Sequence, residues 1–315
     1  MKALVYLGEQ QIVVREEPAP TPSGDDVIIS VRAAAICGSE LGGVKHNDPS
    51  RKVPLIMGHE FVGTRADTGA LVAVNPLVTC GACDRCLSGD QNLCRSRSLI
   101  GVHRSGGFAE EVAVPFANIH ELPEGASILA GVLIEPLANA WHLWNLSGAT
   151  ESSRIGIIGG GAIGLMTALV ASHSGAGDVT LAEVSDARRE PARDAGIATV
   201  VPQLEGEFDV IVDAVGAHET RATSIRLLRP GGRALWAGLH DGESLIDGRD
   251  LARREISILG SFAYRDNDFA KAVETVGLLD EHWVNAVPLD DGERVFHRLM
   301  ESPDEFVRTA LVPSL

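Results

Sequence analysis

Positive charge and aromatic side chains are both scarce in this 315-residue chain. Lys and Arg number 27 against 43 Asp and Glu, a formal net charge of −16 at pH 7, and the acidic residues are spread along the chain rather than gathered in a tail. Coulomb repulsion therefore argues against nucleic acid and anionic membrane surfaces as partners, because no basic patch is evident to offset it. Aromatic residues make up only 4%, and Trp141 and Trp144, at helical spacing, read as interdomain core rather than a substrate cage. Long apolar runs are missing too. The stretch Ile155 to Ala171 could pass for a membrane span, but it holds five glycines by Gly164, which suits a strand, a loop and a helix. Met1 to Tyr6 carries one positive charge, and no long apolar core precedes Glu9. That start reads as a first strand, not a signal peptide, and a cytoplasmic location is the expectation.

Cysteine is equally sparing, five in all, yet four of them fall as Cys80-x-x-Cys83-x-x-Cys86-x7-Cys94. Four thiolates about 2.3 Å from one Zn²⁺ complete its tetrahedral shell and leave no open position, so this lobe is expected to be structural. Disulfides are disfavoured in a chain without a secretion signal, where thiols stay reduced. The fifth, Cys37, is then free for chemistry.

The first half carries short β-like runs punctuated by Gly and Pro, at Leu4–Leu7, Gln11–Arg15, Val27–Ala35, Glu60–Thr64, Leu71–Asn75 and Phe108–Val114. From Arg154 onward strands and helices alternate: Arg154–Ile158, a helix over Ala162–Ser174, Asp178–Val184, a helix over Asp186–Ala195, Asp209–Val215, a helix over His218–Leu228, Gly232–Leu239 and Ile256–Phe262. Such alternation implies a parallel sheet with helices on both faces. A helix over Asn267–Leu279 follows, then a last helix and strand within Asp290–Val312, expected to pack back on the β-rich domain.

Two sets of residues carry chemistry. Gly159-Gly160-Gly161-Ala162-Ile163-Gly164 is a Gly-x-Gly-x-x-Gly placed directly after a strand and before an apolar helix. There Gly159 permits the tight turn, Gly161 lets the backbone approach a pyrophosphate and Gly164 lets helix and strand pack closely. Glu183, at the end of the next strand, is placed to bind an adenosine ribose and to repel a 2′-phosphate, favouring NAD over NADP, although Arg188 and Arg189 lie close in sequence. The second set is Cys37, His59 and Glu60, whose thiolate, imidazole and carboxylate are the ligand types of a catalytic zinc. Taken singly, each has a stronger structural reading: Cys37 as a small buried apolar residue, His59 as a hydrogen-bonded core histidine, Glu60 as a surface charge.

Together with the cysteine lobe these motifs resemble the zinc-containing medium-chain alcohol dehydrogenase family. Cys37-Gly38-Ser39, Gly58-His59-Glu60, the four cysteines, Gly107-Phe108-Ala109-Glu110, Glu135-Pro136-Leu137-Ala138 and the glycine loop occur in that family's order over nearly the whole chain. The Gly-His-Glu and Glu-Pro-Leu-Ala elements look most like its sorbitol, threonine and aminocyclitol dehydrogenase branch. The resemblance implies an α/β protein with a GroES-like β-rich catalytic domain (1–138, the zinc lobe at about 79–96), a Rossmann domain with a doubly wound parallel sheet (139–262) and a C-terminal segment (263–315) returning to the first. It further implies two zinc ions, NAD, an active site in the interdomain cleft and a homodimer or homotetramer. In that reading Cys37, His59 and Glu60 bind the catalytic zinc, Glu135 is an alternating ligand or partner of the bound water, and Ser39 begins a proton relay. Val215 and Leu239, at strand ends, join Gly159, Gly161, Ala162, Ile163, Gly164, Glu183 and Arg188 around the cofactor. The implied reaction moves a hydride between a secondary alcohol, such as a polyol, cyclitol or amino alcohol, and NAD, giving the ketone.

The chain departs from the family in two informative places. Relatives commonly carry Asp, one further residue and His after Cys-Gly-Ser, whereas Glu40-Leu41-Gly42-Gly43 stands here. The relay histidine is therefore absent, with His46 as a nearby but loop-like substitute. Polyol dehydrogenases tend to have Phe-Arg-Tyr where this chain has Phe262-Ala263-Tyr264. That loss argues against a plain sorbitol-type substrate unless Arg265 turns inward. The absent histidine also leaves a second reading, a nucleotide-binding zinc protein with a structural or regulatory role and little turnover.

Overall fold

The computed structural model describes residues 1–302 and 306–313, and they divide into two compact units, Met1–Glu135 with Arg265–Leu315, and Pro136–Tyr264. In the first unit, β1 (Lys2–Gly8), β2 (Gln11–Glu16), β3 (Asp26–Ala35), β4 (Leu55–Ile56), β5 (Glu60–Arg65), β6 (Leu71–Val74), β7 (Leu77–Val78), β8 (Ser98–Leu99), β9 (Glu111–Pro115) and β10 (Ile119–Glu121) are short. The helices among and after them are short too: α1 (Gly38–Lys45), α2 (Asp84–Leu87) and α3 (Ile128–Gly131). β9 shows why these segments are strands, since Val112 and Val114 alternate inward between half-exposed neighbours. Strands β10-β6-β5-β3 form one sheet, with β9 also paired to β3. Their inner faces close over a core that includes Tyr6, Ile29, Phe61, Phe108 and Phe296.

In the second unit α4 (Ile134–Ser147) leads into β11 (Arg154–Ile158), α5 (Ala162–His173), β12 (Asp178–Ala182), α6 (Asp186–Asp194), β13 (Thr199–Val201), β14 (Phe208–Asp213), α7 (His218–Arg226), β15 (Leu228–Trp236), α8 (Gly248–Arg253) and β16 (Ser257–Gly260). The sheet order is β13-β12-β11-β14-β15-β16 and every pairing is parallel. Chain direction across the sheet reverses between β11 and β14, so the loops leaving their carboxyl ends flank a topological switch point, where such sheets bind ligands. Helix α5 is apolar nearly all round and buries nine residues, the pattern of a helix enclosed by its own domain.

From Arg265 the chain is back in the first unit, which it completes with α9 (Asp266–Glu274), β17 (Val284–Pro288), α10 (Gly292–Glu301) and β18 (Arg308–Val312). β18 runs parallel to β17 and antiparallel to the end of β3, with Ala310 opposite Ala35. The expected run Asp290–Val312 crosses residues 303–305, which lie outside the described residues.

Several expectations shift, among them the strand foreseen over Gly232–Leu239, which runs Leu228–Trp236 and leaves Leu239 beyond its end. The strand foreseen at Phe108–Val114 begins only at Glu111, because Phe108 is drawn into backbone bonds with Leu4 and Met57 on either side. The strand foreseen to Val184 stops at Ala182, which puts Glu183 in the loop beyond it. Helix α8 was not foreseen; Asp247 caps it by accepting from the N–H groups of Arg249 and Asp250.

Candidate functional site

Cys37 stands between the end of β3 and the start of α1, half-buried. Three residues on, Glu40 folds its side chain back so that Oε2 accepts from the Cys37 N–H at 3.0 Å. Its Oε1 accepts from the Gly58 N–H at 2.8 Å and meets His59 Nδ1 at 2.9 Å. One fully buried carboxylate thus ties together the two chain segments that carry Cys37 and His59. Gly58 is required beside them: its φ is +97°, and a Cβ there would lie 2.7 Å from the Phe108 backbone nitrogen. Burial opposes the charge on Glu40, but the neighbouring His59 outweighs it and holds the carboxyl below its usual range. Burial likewise opposes an imidazolium, yet Glu40 and Cys37 raise His59 well above the ordinary histidine range.

With Nδ1 committed to Glu40, Nε2 is the ring nitrogen left for a metal, the arrangement in which a carboxylate orients a ligating histidine. The donor atoms of Cys37, His59 and Glu60 lie within 4.8 Å of one another. One ion with bonds of about 2.0–2.3 Å can take all three with side-chain adjustment alone. The residues fit a zinc with an open position.

Glu60, the first residue of β5, is fully buried and is not the surface charge its sequence position alone suggests. Arg308, the first residue of β18, forks onto it, with Nε donating to Oε2 at 2.6 Å and Nη2 to Oε1 at 2.8 Å. The same Nη2 stands 3.7 Å from Cys37 Sγ. The Ile36 N–H bonds to the Thr309 carbonyl at 2.9 Å, which anchors β18 beside Cys37. Burial disfavours the charge on Arg308, but Glu60, Cys37 and Glu135 raise its pKa further above the usual value. Glu135, half-buried in the first turn of α4, thereby belongs to the same electrostatic neighbourhood.

Ser39 is exposed in the first turn of α1. Its carbonyl accepts from Arg51 Nη2 at 3.2 Å, and the buried Gly101 carbonyl accepts from Arg51 Nη1 at 3.2 Å. Gly43 makes room for this arginine, since a Cβ there would meet Arg51 Nε at 2.3 Å. At Gly42, where relatives carry the relay histidine, a Cβ would meet nothing within 4 Å. His46 caps the far end of α1 and is exposed.

The four cysteines form a separate cluster. Sulfur separations are 3.9 Å for Cys80 and Cys86, 3.5 Å for Cys83 and Cys86, and 3.6 Å for Cys94 and Cys80. A tetrahedron of thiolates about 2.3 Å from one ion has edges of about 3.8 Å, so the set fits zinc closely. Backbone N–H groups of Ala82 and Cys83 lower the Cys80 thiol to about 6, whereas burial leads in raising Cys86 to about 11. Arg265, which could have turned toward substrate, instead donates to Asp90 of this lobe at 2.7 Å.

In the second unit the glycine loop joins β11 to α5. A Cβ on Gly164 would stand 1.7 Å from the Gly159 carbonyl oxygen, while one on Gly161 would meet nothing within 4 Å. Helix and strand are therefore in contact at Gly164, and the face at Gly161 is open beside the first-turn N–H groups of Ala162 and Ile163, as a pyrophosphate needs. Glu183 accepts from Gly160 N–H at 2.8 Å and Ser185 N–H at 2.9 Å. Arg189 is turned away onto the Glu183 and Val184 carbonyls, while Arg188 is half-buried. Val215 packs on the loop, its Cγ2 2.7 Å from where a Gly159 Cβ would be, and Leu239 is exposed.

Sequence reasoning overlooked Glu40 and Arg308. Glu40 carried a signal: an acid three residues after an N-terminal helix cap can reach back to the cap N–H. Arg308 carried none, being 248 positions from Glu60.

The alcohol dehydrogenase GroES-like domain family matches residues 23–124, and the zinc-binding dehydrogenase family matches residues 162–277. L-galactonate-5-dehydrogenase of Escherichia coli K12 is 32% identical over 86% of this chain and 86% of its own. The chain belongs to the zinc-containing medium-chain alcohol dehydrogenases. It is an oxidoreductase of that α/β, two-domain class. L-threonine 3-dehydrogenase of Streptomyces coelicolor is also 32% identical, over 96% of this chain and 94% of its own. Among solved structures, a zinc-binding dehydrogenase from Sinorhizobium meliloti 1021 bound to NADP superposes with a TM-score of 0.90 at 30% identity, covering 99% of both chains.

Proposed function

We propose that this dehydrogenase oxidises a secondary alcohol of polyol, cyclitol or amino-alcohol type to the ketone, using NAD, one catalytic zinc and one structural zinc. The observation that carries the reading is the convergence of Cys37, His59 and Glu60 donors within 4.8 Å, with His59 oriented by Glu40. When bound, zinc supplies Lewis-acid polarisation of the alcohol oxygen and the nicotinamide accepts the hydride. Cys37, His59 and Glu60 would hold the ion, Glu135 would be an alternating ligand or partner of the bound water, and Glu40 fixes the histidine tautomer. Ser39 would accept the alcohol's hydroxyl proton as it gives up its own. Its exposure would let that proton pass directly to water, with no histidine needed at Gly42.

Substrate class is supported by the relatives named for L-galactonate and L-threonine, both polar molecules bearing secondary hydroxyls. Engagement of Arg265 by Asp90 argues against a plain sorbitol-type substrate. Preference for NAD is supported by Glu183, whose carboxylate is held against the loop by two N–H donors and repels a 2′-phosphate. The NADP-bound relative marks the opposing case. Gly159, Gly161, Ala162, Ile163, Gly164, Arg188, Val215 and Leu239 complete the proposed cofactor surface. The first unit is the catalytic domain in this reading and the second the cofactor domain. Among the described residues no helix is long and apolar enough to cross a membrane. A cytoplasmic homodimer or homotetramer with no nucleic-acid partner completes the proposal.

NAD⁺ reduction followed at 340 nm across polyols, cyclitols and amino alcohols tests it, alongside metal analysis expected to give two zinc per chain. A blank panel with a fully metallated protein would overturn the substrate assignment. Tighter binding of NADPH than NADH would overturn the role of Glu183.

A further inference from the structure

We infer that Arg51 is a positioning residue that locks the backbone of Ser39 to the loop packed on Gly58, and that position 43 is glycine so that this arginine can be seated. The inference deepens the proposed proton transfer and rests on that reading of Ser39. Arg51 is only 6% exposed, unusual burial for a guanidinium. Its Nη2 donates to the Ser39 carbonyl and its Nη1 to the Gly101 carbonyl, each at 3.2 Å. Among the described residues Nε finds no hydrogen-bond partner, the Asp48 carboxylate standing 3.8 Å away. An unpaired buried N–H is unfavourable, and an apolar side chain would fill the same space without it.

What the arginine adds is a link between two segments. Ser39 follows Cys37 closely in the first turn of α1. Gly101 lies in the loop that backs Gly58: a Cβ on Gly101 would stand 2.6 Å from the Gly58 carbonyl oxygen, and the Gly107 N–H donates to that same oxygen at 2.8 Å. Arg51 therefore spans from the residue proposed to accept the proton to the support of the residue just before His59. Glu40 joins α1 to Gly58 through N–H groups, and Arg51 does so through carbonyls. The second tie matters because Gly42 and Gly43 adjoin in a helix of 8 residues, and glycine is a poor helix former. Gly43 is also its condition. A Cβ there would lie 2.3 Å from Arg51 Nε and 3.0 Å from Cζ, so any side chain displaces the guanidinium.

The test reads binding rather than turnover. The probe is hexafluoroisopropanol, a secondary alcohol whose fluorines oppose hydride loss, titrated by calorimetry into the zinc-loaded enzyme saturated with NAD⁺. Ser39→Ala should weaken it about tenfold, the loss of one hydrogen bond. Gly43→Ala should weaken it by about three- to tenfold through misplacement of Ser39, although alanine is the better helix former and the positive charge is kept. Arg51→Met should match Gly43→Ala, and Arg51→Lys, a point charge rather than a fork, should fall between Arg51→Met and the wild type. Gly43→Ala carries the test if the Arg51 variants do not fold. Added to Ser39→Ala, Gly43→Ala should cost nothing further, whereas a merely structural loosening would. Full affinity in Gly43→Ala, or a further loss in the Ser39→Ala background, overturns the inference and leaves the role of Ser39 standing. Loss of the second zinc from Gly43→Ala overturns it too, because the arginine would then be serving the ion. A wild-type enzyme that binds the probe no better than Ser39→Ala overturns the reading of Ser39 and this inference with it.

Discussion

The two metal-ligand clusters are built in opposite ways. The cysteine lobe draws its donors from positions 80 to 94 and is organised by local backbone, with N–H groups of Ala82 and Cys83 directed at Cys80. The second cluster joins the end of β3, the start of β5 and the first residue of β18, with Glu40 and Arg308 bracing it. Local construction gives a closed thiolate shell. Long-range construction leaves mixed donors held by buried charge pairs, which suits a position that must stay open.

That contrast can be broken most visibly at the metals. Cys37→Ser should abolish turnover, by about three orders of magnitude or more, and leave the melting temperature nearly unchanged. Cys86→Ser should lower the melting temperature by about 10 °C or more, because zinc binding to such a lobe is folding free energy. Calorimetry and assay of both variants check the pair, and equal effects on stability would erase the distinction.

Glu40→Ala should come next. It removes the partner of His59 and orphans two N–H groups, those of Cys37 and Gly58. Metal affinity at the second cluster should fall about 10- to 100-fold, while zinc in the lobe is retained. Loss of both metals on chelator titration would show that the clusters are not independent. Asp90→Ala, which releases Arg265, should cost less than about 1 kcal/mol in denaturant unfolding, because that pair is partly exposed. A larger loss would make Arg265 a main support of the lobe.

The smallest effect is expected at Gly42. A Cβ there meets open space, so Gly42→His should stabilise α1 by about 0.5 kcal/mol while offering the relay that relatives possess. Turnover should change less than twofold if Ser39 already reaches water. A large acceleration would show that the relay limits the wild-type chain.

Much of this was legible in the residues alone. The glycine loop and the alternation after Arg154 announced the parallel sheet because their signals are short-range, a turn requirement and a repeating period. The Cys-x-x-Cys spacing announced the lobe for the same reason. Glu60 misled when taken singly, since a lone acid at a strand start reads as surface charge. What buries it is an arginine brought by the last strand, and no local pattern encodes that contact. The early end of β12 and the late start of β9 were hidden likewise, because each depends on backbone partners from another segment.

The placement of β18 has a consequence for the order in which the molecule is made. The lobe's donors leave the ribosome together, well before β18 does. The brace on Glu60 is synthesised long after the lobe, so a nascent chain can hold its first metal well before it can finish its second site. Selective pulse-labelling with metal during translation should therefore find the lobe loaded first, with the reactive centre completed only once β18 has emerged.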